Sequence, residues 1–198
     1  MMKRMVPKPE DCFLLLKKFE VPEHIVEHSR RVCNVASYLG RLLNRRGEGL
    51  DLPRVEAASL LHDIAKLKTR DRGEGHAQAG ARLLLELGFP EVAEIVRQHV
   101  FLDPGADPDR ISDAEVVHYA DKRVKHTSVV SLRERFRDLK ERYGKTPGAL
   151  NRLKDLERKS LLLEERLFQK ISIAPEALVE IGELEESGPS PYPGRVRG

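Results

Sequence analysis

The sequence holds only two cysteines, Cys12 and Cys33, 21 positions apart and without any Cys-x-x-Cys spacing. Neither a disulfide framework nor a cysteine-held zinc is expected, and a reducing, cytoplasmic setting is. No stretch approaches the roughly 18 consecutive apolar residues of a membrane span. The basic residues Lys3 and Arg4 are followed by no apolar core of the kind a secretory leader carries. Secretion and membrane insertion are therefore both unexpected. Strict alternation of apolar and polar residues is nearly absent, which leaves little room for sheet, and no internal repeat is visible. An excess of one charge is lacking too: 35 Lys and Arg against 32 Asp and Glu leave +3, too small a balance to point to a partner.

What the chain does have is apolar residues recurring at spacings of three and four, which predicts an all-α protein. At 198 residues it can bury one sizeable core. Helices are expected over 10–19 and over 23–45, where Val32, Val35, Ala36, Leu39, Leu42 and Leu43 form a stripe that His28 joins. Asp51-Leu52-Pro53 reads as a helix entry leading through Val55, Ala58 and Leu61 to His62. A charged, glycine-containing loop from Lys68 to Gly75 follows. The next helix, 76–87, ends at Gly88, and one opened by Pro90 ends at His99. Ser112 and Glu115 form a capping box that opens the helix carrying Asp121. Charged helices follow over 130–143 and 147–171, parted by Gly144-Lys145-Thr146-Pro147, with a short one over 175–185. The segment from Ser187 to Gly194 has too much proline and glycine to pack. The expected organisation is a core over 1–126, a charged helical extension over 127–186 and a flexible tail over 187–198.

Charge is unevenly distributed. Between Lys122 and Lys145 lie nine basic residues and three acidic ones, so a basic lobe begins directly after Asp121. A solvated face with intrahelical ion pairs is the expectation there. Nucleic acid is not an expected partner, because interleaved aromatics are lacking beyond Phe136 and Tyr143.

The pair His62-Asp63, at the end of the apolar run Ala57-Ala58-Ser59-Leu60-Leu61, sets two metal-ligating side chains where burial is expected. Each costs several kcal/mol to desolvate unpaired, and a divalent cation satisfies both. His28 lies 34 positions before His62, and Asp121 lies 58 positions after Asp63. Adjacent helix residues point about 100° apart, so His62 and Asp63 do not chelate one ion as an i, i+4 pair does. Asp63, with two oxygens, suits a bridge between two ions, while His62 suits one of them.

The order His, His-Asp, distant Asp resembles the HD superfamily of metal-dependent phosphohydrolases. The matching segments are Glu27-His28-Ser29-Arg30-Arg31-Val32, Leu60-Leu61-His62-Asp63-Ile64-Ala65-Lys66 and Tyr119-Ala120-Asp121-Lys122, and the resemblance covers residues 20 to 125. It implies an all-α HD-domain helical bundle, here with additional charged C-terminal helices. It also implies hydrolysis of a phosphomonoester, phosphodiester or phosphoanhydride by a metal-bound hydroxide, with a nucleotide as the expected substrate. His28, His62, Asp63 and Asp121 are the implied ligands of a first ion. His76 and His99, placed where dinuclear members carry two further histidines, are the implied ligands of a second. Imidazole with carboxylate suits Fe, Mn, Co, Ni or Zn, and Mg is admitted, with one or two ions per chain. Asp63 and Lys66 are the expected catalytic residues. Lys66 is the first candidate for a substrate phosphate, with Lys68, Arg70 and Arg72 on the following loop and Lys122 and Arg123 beside Asp121 as further ones. His24, His118 and His126 are read as bystanders, with His118 on the surface.

The chain lacks the Gly-Tyr-Pro triplet of the cyclic dinucleotide phosphodiesterases, and Ile64-Ala65 stands where those have Ile-Gly. Both departures argue against a cyclic dinucleotide. The same ligands serve two alternatives, a di-iron HD-type oxygenase and a non-catalytic nucleotide-sensing HD protein. The sequence leaves the oligomeric state open, since helices 130–171 suit either a cover for the core or an interface with another subunit.

Overall fold

In the computed structural model of the chain, residues 6–67, 75–104, 107 and 109–180 are described. Lys68, Arg70 and Arg72, the tail 187–198 and the second half of the last expected helix, 181–185, lie outside the described residues. The elements are α1 (Pro9–Lys18), α2 (Glu23–Asn44), α3 (Leu52–Leu61), α4 (His76–Glu86), α5 (Pro90–Gln98), α6 (Asp113–Arg123), β1 (Val124–Lys125), β2 (Ser128–Val129), α7 (Leu132–Tyr143) and α8 (Pro147–Lys170). Residues 177–180 form one more helical turn. The fold is all-α, and no described helix is long and apolar enough to cross a membrane.

Local chemistry sets most of these boundaries. The Asp51 carboxylate accepts from the Arg54 amide at 3.1 Å and opens α3, with Pro53 in its first turn. Gly88 takes φ +86° just past α4, and the amides of Gly88 and Phe89 donate to the carbonyls of Leu85 and Leu84. That is a Schellman ending, open to glycine because of the positive φ. At α6 both halves of the capping box form: the Glu115 amide donates to Ser112 Oγ at 3.2 Å, and the Ser112 amide donates to the Glu115 carboxylate at 2.8 Å. Ser112→Ala should lower unfolding stability by about 1 kcal/mol, as N-cap truncations do, read from the denaturant midpoint at unchanged slope.

The stripe of α2 is buried as its spacing predicts, Leu42 being only partly so, and it packs on α3 and α6. Helix α6 is the centre of the molecule. Every residue from Ala114 to Arg123 is buried, including Glu115, His118, Asp121, Lys122 and Arg123. Buried charge on this scale stands only where each group has partners. Much of the pairing on the face away from Asp121 comes from α8. The Glu115 carboxylate meets Arg166 at 2.6 Å, and Tyr119 Oη donates to Glu164 at 2.5 Å. Arg123 donates to Tyr119 Oη, Glu164, and the carbonyls of Val130 and Pro175. With Leu156, Leu163 and Leu167 also buried, the charged helix covers the core of its own chain.

The periodicity reading leaves 124–129 without an element. The structure forms a two-stranded antiparallel hairpin there, pairing Val124 with Val129 and Lys125 with Ser128. His126, at its tip, takes the left-handed conformation with φ +56°.

Candidate metal centre

The six side chains singled out in the sequence come together in one cluster built by element ends and one helix face. His28 comes from the early part of α2, and Asp121 from α6. His62 caps the C-terminus of α3 and Asp63 follows it into a turn; His76 is the first residue of α4, and His99 caps the C-terminus of α5. Their ligating atoms form two groups, His28 with His62 and Asp63, and Asp63 with His76 and His99, each spanning no more than 4.8 Å. Asp63 belongs to both. Its Oδ1 lies 3.4 Å from His76 Nε2 and 3.8 Å from His99 Nε2, while its Oδ2 lies 3.5 Å from His62 Nε2. Asp121 joins the first group through Oδ1, 3.2 Å from His28 Nε2 and 3.6 Å from His62 Nε2.

Three imidazoles are oriented by backbone carbonyls. His28 Nδ1 lies 2.8 Å from the His126 carbonyl, His62 Nδ1 lies 2.7 Å from that of Ser59, and His99 Nδ1 lies 2.7 Å from that of Val96. A carbonyl only accepts, so each Nδ1 carries the proton and each Nε2 faces the cluster. This is the outer arrangement that metal-ligating histidines use. His62 and His99 achieve it identically: a C-capping histidine reaches back three residues to its own helix. His28 depends on the hairpin, whose left-handed tip aims the His126 carbonyl.

Within the centre, His62 Nε2 and Asp63 Oδ1 are buried and have no hydrogen-bond partner of good geometry among the described residues. His76 Nε2 and His99 Nε2 face each other at 3.0 Å. Converging lone pairs, two carboxylates and orphaned buried atoms fit divalent cations of borderline hardness, which imidazole and carboxylate bind together. The charged groups already present respond to one another. Burial alone would raise the Asp63 carboxyl, but His62, Lys66 and His99 hold it well below the ordinary carboxylate range. Asp121 is likewise raised by burial and lowered further by Lys122, His28 and His62. Burial lowers His62, yet Asp63 and Asp121 bring it up to about 10. His99 is pushed well down by burial and by His62. Burial lowers His76 as well.

The lysines divide between two tasks. Lys66 Nζ sits 2.6 Å from Asp63 Oδ2, and its side chain, 43% exposed, reaches the centre from solvent. His76 is the other partly exposed member. Lys122 is buried, donating to Asp121 Oδ2 at 2.7 Å and to the His99 carbonyl at 3.0 Å. Its charge holds the Asp121 carboxylate and the His99 carbonyl in place from within the core. Arg123, roughly 200° around α6 from Asp121, is held among Tyr119, Glu164, Val130 and Pro175 and does not reach the centre. His118, read as a surface residue, is buried and donates Nδ1–H to the His99 carbonyl at 3.0 Å; burial and then Lys122 bring it down to about 3. Its position three residues before Asp121, on the same helix face, was the available signal. His24 is exposed. A larger cavity of about 770 Å³ lies between the segment Glu48–Leu50, α5 and the start of α6, and none of the six cluster residues lines it.

Residues 25–144 match the family model of the HD domain, and the chain belongs to the HD domain family. The match takes in all six cluster residues and runs to the end of α7. Among curated proteins, an uncharacterized protein of Methanocaldococcus jannaschii is 28% identical over 144 residues, which cover 66% of this chain and 84% of that protein. The tRNA (cytidine(56)-2'-O)-methyltransferase of Thermoplasma volcanium is 30% identical over 98 residues, which cover 49% of this chain and 27% of the methyltransferase. This chain thus spans about a quarter of that enzyme. The crystal structure of a predicted HD superfamily hydrolase from an uncultured Thermotogales bacterium is 21% identical, with a TM-score of 0.45 over 83% of this chain and 93% of that one.

Proposed function

We propose that the protein is a dinuclear metal-dependent phosphohydrolase acting on a phosphorylated small molecule, a nucleotide by expectation. The observation that carries this reading is the placement of Asp63, whose two oxygens face different histidine groups. His28, His62 and Asp121 would hold one ion with Asp63 Oδ2, and His76 and His99 a second with Asp63 Oδ1. When bound, such ions lower the pKa of a coordinated water from 15.7 to about 7 in favourable sites, which supplies hydroxide near neutral pH.

The chain's own residues do the rest. Lys122 occupies Asp121 Oδ2, so Asp121 offers its other oxygen alone to the centre. Lys66 neutralises Asp63 in the absence of other cations; with the carboxylate charge taken up, its exposed ammonium is released toward the non-bridging oxygens of a phosphoryl group. There it stabilises charge that grows as the bond to the leaving group breaks.

The test is elemental analysis of the purified protein together with phosphate or nucleoside release from a nucleotide panel, with Mn, Fe, Co, Ni or Mg added. Close to two transition ions per chain with turnover is the expected result. One ion or none, and no turnover on any nucleotide, would sink the reading; oxygen consumption by the reduced iron protein would then point to an oxygenase, and nucleotide binding alone to a sensor.

A further inference from the structure

His126, a bystander by its sequence context, sits exposed at the tip of the hairpin with φ +56°. Left-handed backbone is open to glycine and costs a residue with a β-carbon free energy, so a histidine persists there only where its surroundings hold it. A hairpin with two paired residues on each strand supplies little of that hold. Yet the tip is where a precise backbone is needed. The His126 carbonyl, 2.8 Å from His28 Nδ1, sets the direction of the imidazole whose Nε2 faces Asp121 Oδ1 at 3.2 Å.

The hold comes from α7. Arg142 Nη2, in the last turn of that helix, lies 3.0 Å from the His126 ring Nε2 and 3.0 Å from Asp138 Oδ1. A guanidinium only donates, so the Nη2 hydrogens are divided between these two acceptors and the His126 ring presents Nε2 as a lone pair. Asp138 Oδ2 in turn lies 3.3 Å from Arg135 Nη1. With its side chain only 12% exposed, the Asp138 carboxylate stands between two guanidinium groups and fixes an arginine that would otherwise swing in solvent. A second tie joins the same elements, Lys125 Nζ on β1 lying 3.5 Å from Glu134 Oε1 on α7. The line of contacts therefore runs from Arg135 through Asp138, Arg142 and both the ring and the carbonyl of His126, and it ends at the His28 nitrogen turned away from the cluster. Glycine at the tip would place the same carbonyl with less strain. What histidine adds is a ring for Arg142 to hold.

We propose that His126 and Arg142 are positioning residues of the metal centre: the Arg142 contact clamps the His126 ring, and with it the hairpin tip, so that the tip carbonyl aims His28 Nε2 at the first ion. The proposal rests on the reading of His28, His62, Asp63 and Asp121 as the ligands of one ion. It makes α7 a support of that ion alone, since His99 in the second group is oriented by the Val96 carbonyl of its own helix.

Cobalt(II) titrated into the chelator-stripped full chain is the probe, followed by calorimetry and by the visible absorption that reports ligand geometry. The wild type should take up two ions. His126→Gly and Arg142→Met should each weaken one of them by at least about tenfold, as loss of the partners of ligating histidines does, and shift its absorption, with the other ion held within about twofold. The double variant should be no worse than either single one, because each removes the same contact. Arg142→Lys, which can still donate to both acceptors, should recover part of the lost affinity, and Arg152→Met on the exposed face of α8 should change nothing. The metal-free melting temperature separates positioning from bulk support. Glycine relieves the left-handed strain, so His126→Gly should melt at or above the wild type while holding the first ion less tightly. Cobalt affinities within about twofold of wild type in both single variants would overturn the proposal and leave the dinuclear reading intact. Equal weakening of both ions, or a metal-free melting temperature that falls in step with affinity, would overturn it as well, showing a structural pin. A wild type that takes up no cobalt would sink the metal-centre reading and the proposal together. A single ion in the wild type would sink the dinuclear reading alone: variants that weaken that ion then uphold the positioning role, and variants that do not overturn it.

Discussion

Asp63→Ala should reduce the metal content of the purified protein from near two ions per chain to one or none, and lower turnover on the order of 10³-fold. The expectation follows from the sharing of one carboxylate between two donor groups. Removing it takes a ligand from each, whereas His76→Ala takes a ligand from the second group alone and should spare the ion held by His28, His62 and Asp121. The two variants therefore separate in stoichiometry. Asp63→Asn is the better control for folding, since it keeps the volume of a fully buried side chain and removes only the charge. It should bind metal nearly as poorly as the alanine variant, because an amide neither bridges two cations well nor balances their charge. Elemental analysis and melting temperature on all three preparations decide the matter. Asp63→Ala retaining two ions would refute the shared-ligand geometry, and equal losses in Asp63→Ala and His76→Ala would show that the groups fill as one.

The features of this centre that could be read from sequence are those held by local chemistry. The stripe on α2, the capping box at Ser112 and Glu115, the proline-led starts of α3 and α5 and the Gly88 stop each depend on residues within a few positions of one another. The candidate cluster was legible because an apolar run ending in His-Asp carries two groups of metal-binding chemistry into the core, where both need a partner, and because His62, His76 and His99 sit at helix ends. Lys122, Arg123 and His118 were harder to place. Beside Glu115 and Asp121 they make α6 look like an amphipathic surface helix, and it becomes a central one only because Glu164 and Arg166, more than 40 residues away, satisfy the charges on its other face. No window on α6 contains that information. The hairpin at 124–129 is too short for periodicity to detect. Its function is carried by a backbone carbonyl, an atom every residue has, so the sequence offers only Val124, Val129 and a histidine at the tip.

Metal binding should release about one proton near neutral pH, and His62 is its source. In the metal-free fold, Asp63 and Asp121 raise His62 to about 10, so its Nε2 is protonated at pH 7, while burial keeps His99 and His76 neutral. An ion that takes His62 Nε2 as a ligand must displace that proton, so affinity for Mn or Co should rise about tenfold per pH unit between pH 6 and 8.5. The linkage to folding has a definite sign. For His62 the folded pKa lies above the unfolded value, so its stabilisation is fully present below about 6.5 and is lost as the pH rises toward about 10. His76, His99 and His118 are shifted the other way, and their contribution is lost as the pH falls below about 6.5. The metal-free protein should therefore be most stable near pH 6.5, declining on the alkaline side by about 1.4 kcal/mol per pH unit for the single His62 proton. The metal-loaded protein holds His62 neutral and escapes that decline. The gap in melting temperature between Mn-loaded and chelator-stripped protein should consequently widen from pH 6.5 to 8.5, and it should cease to do so in His62→Gln. A gap independent of pH in the wild type would mean that metal binding displaces no proton from His62, either because the ring is already neutral in the metal-free fold or because the ion is held by His28, Asp121 and Asp63 without it.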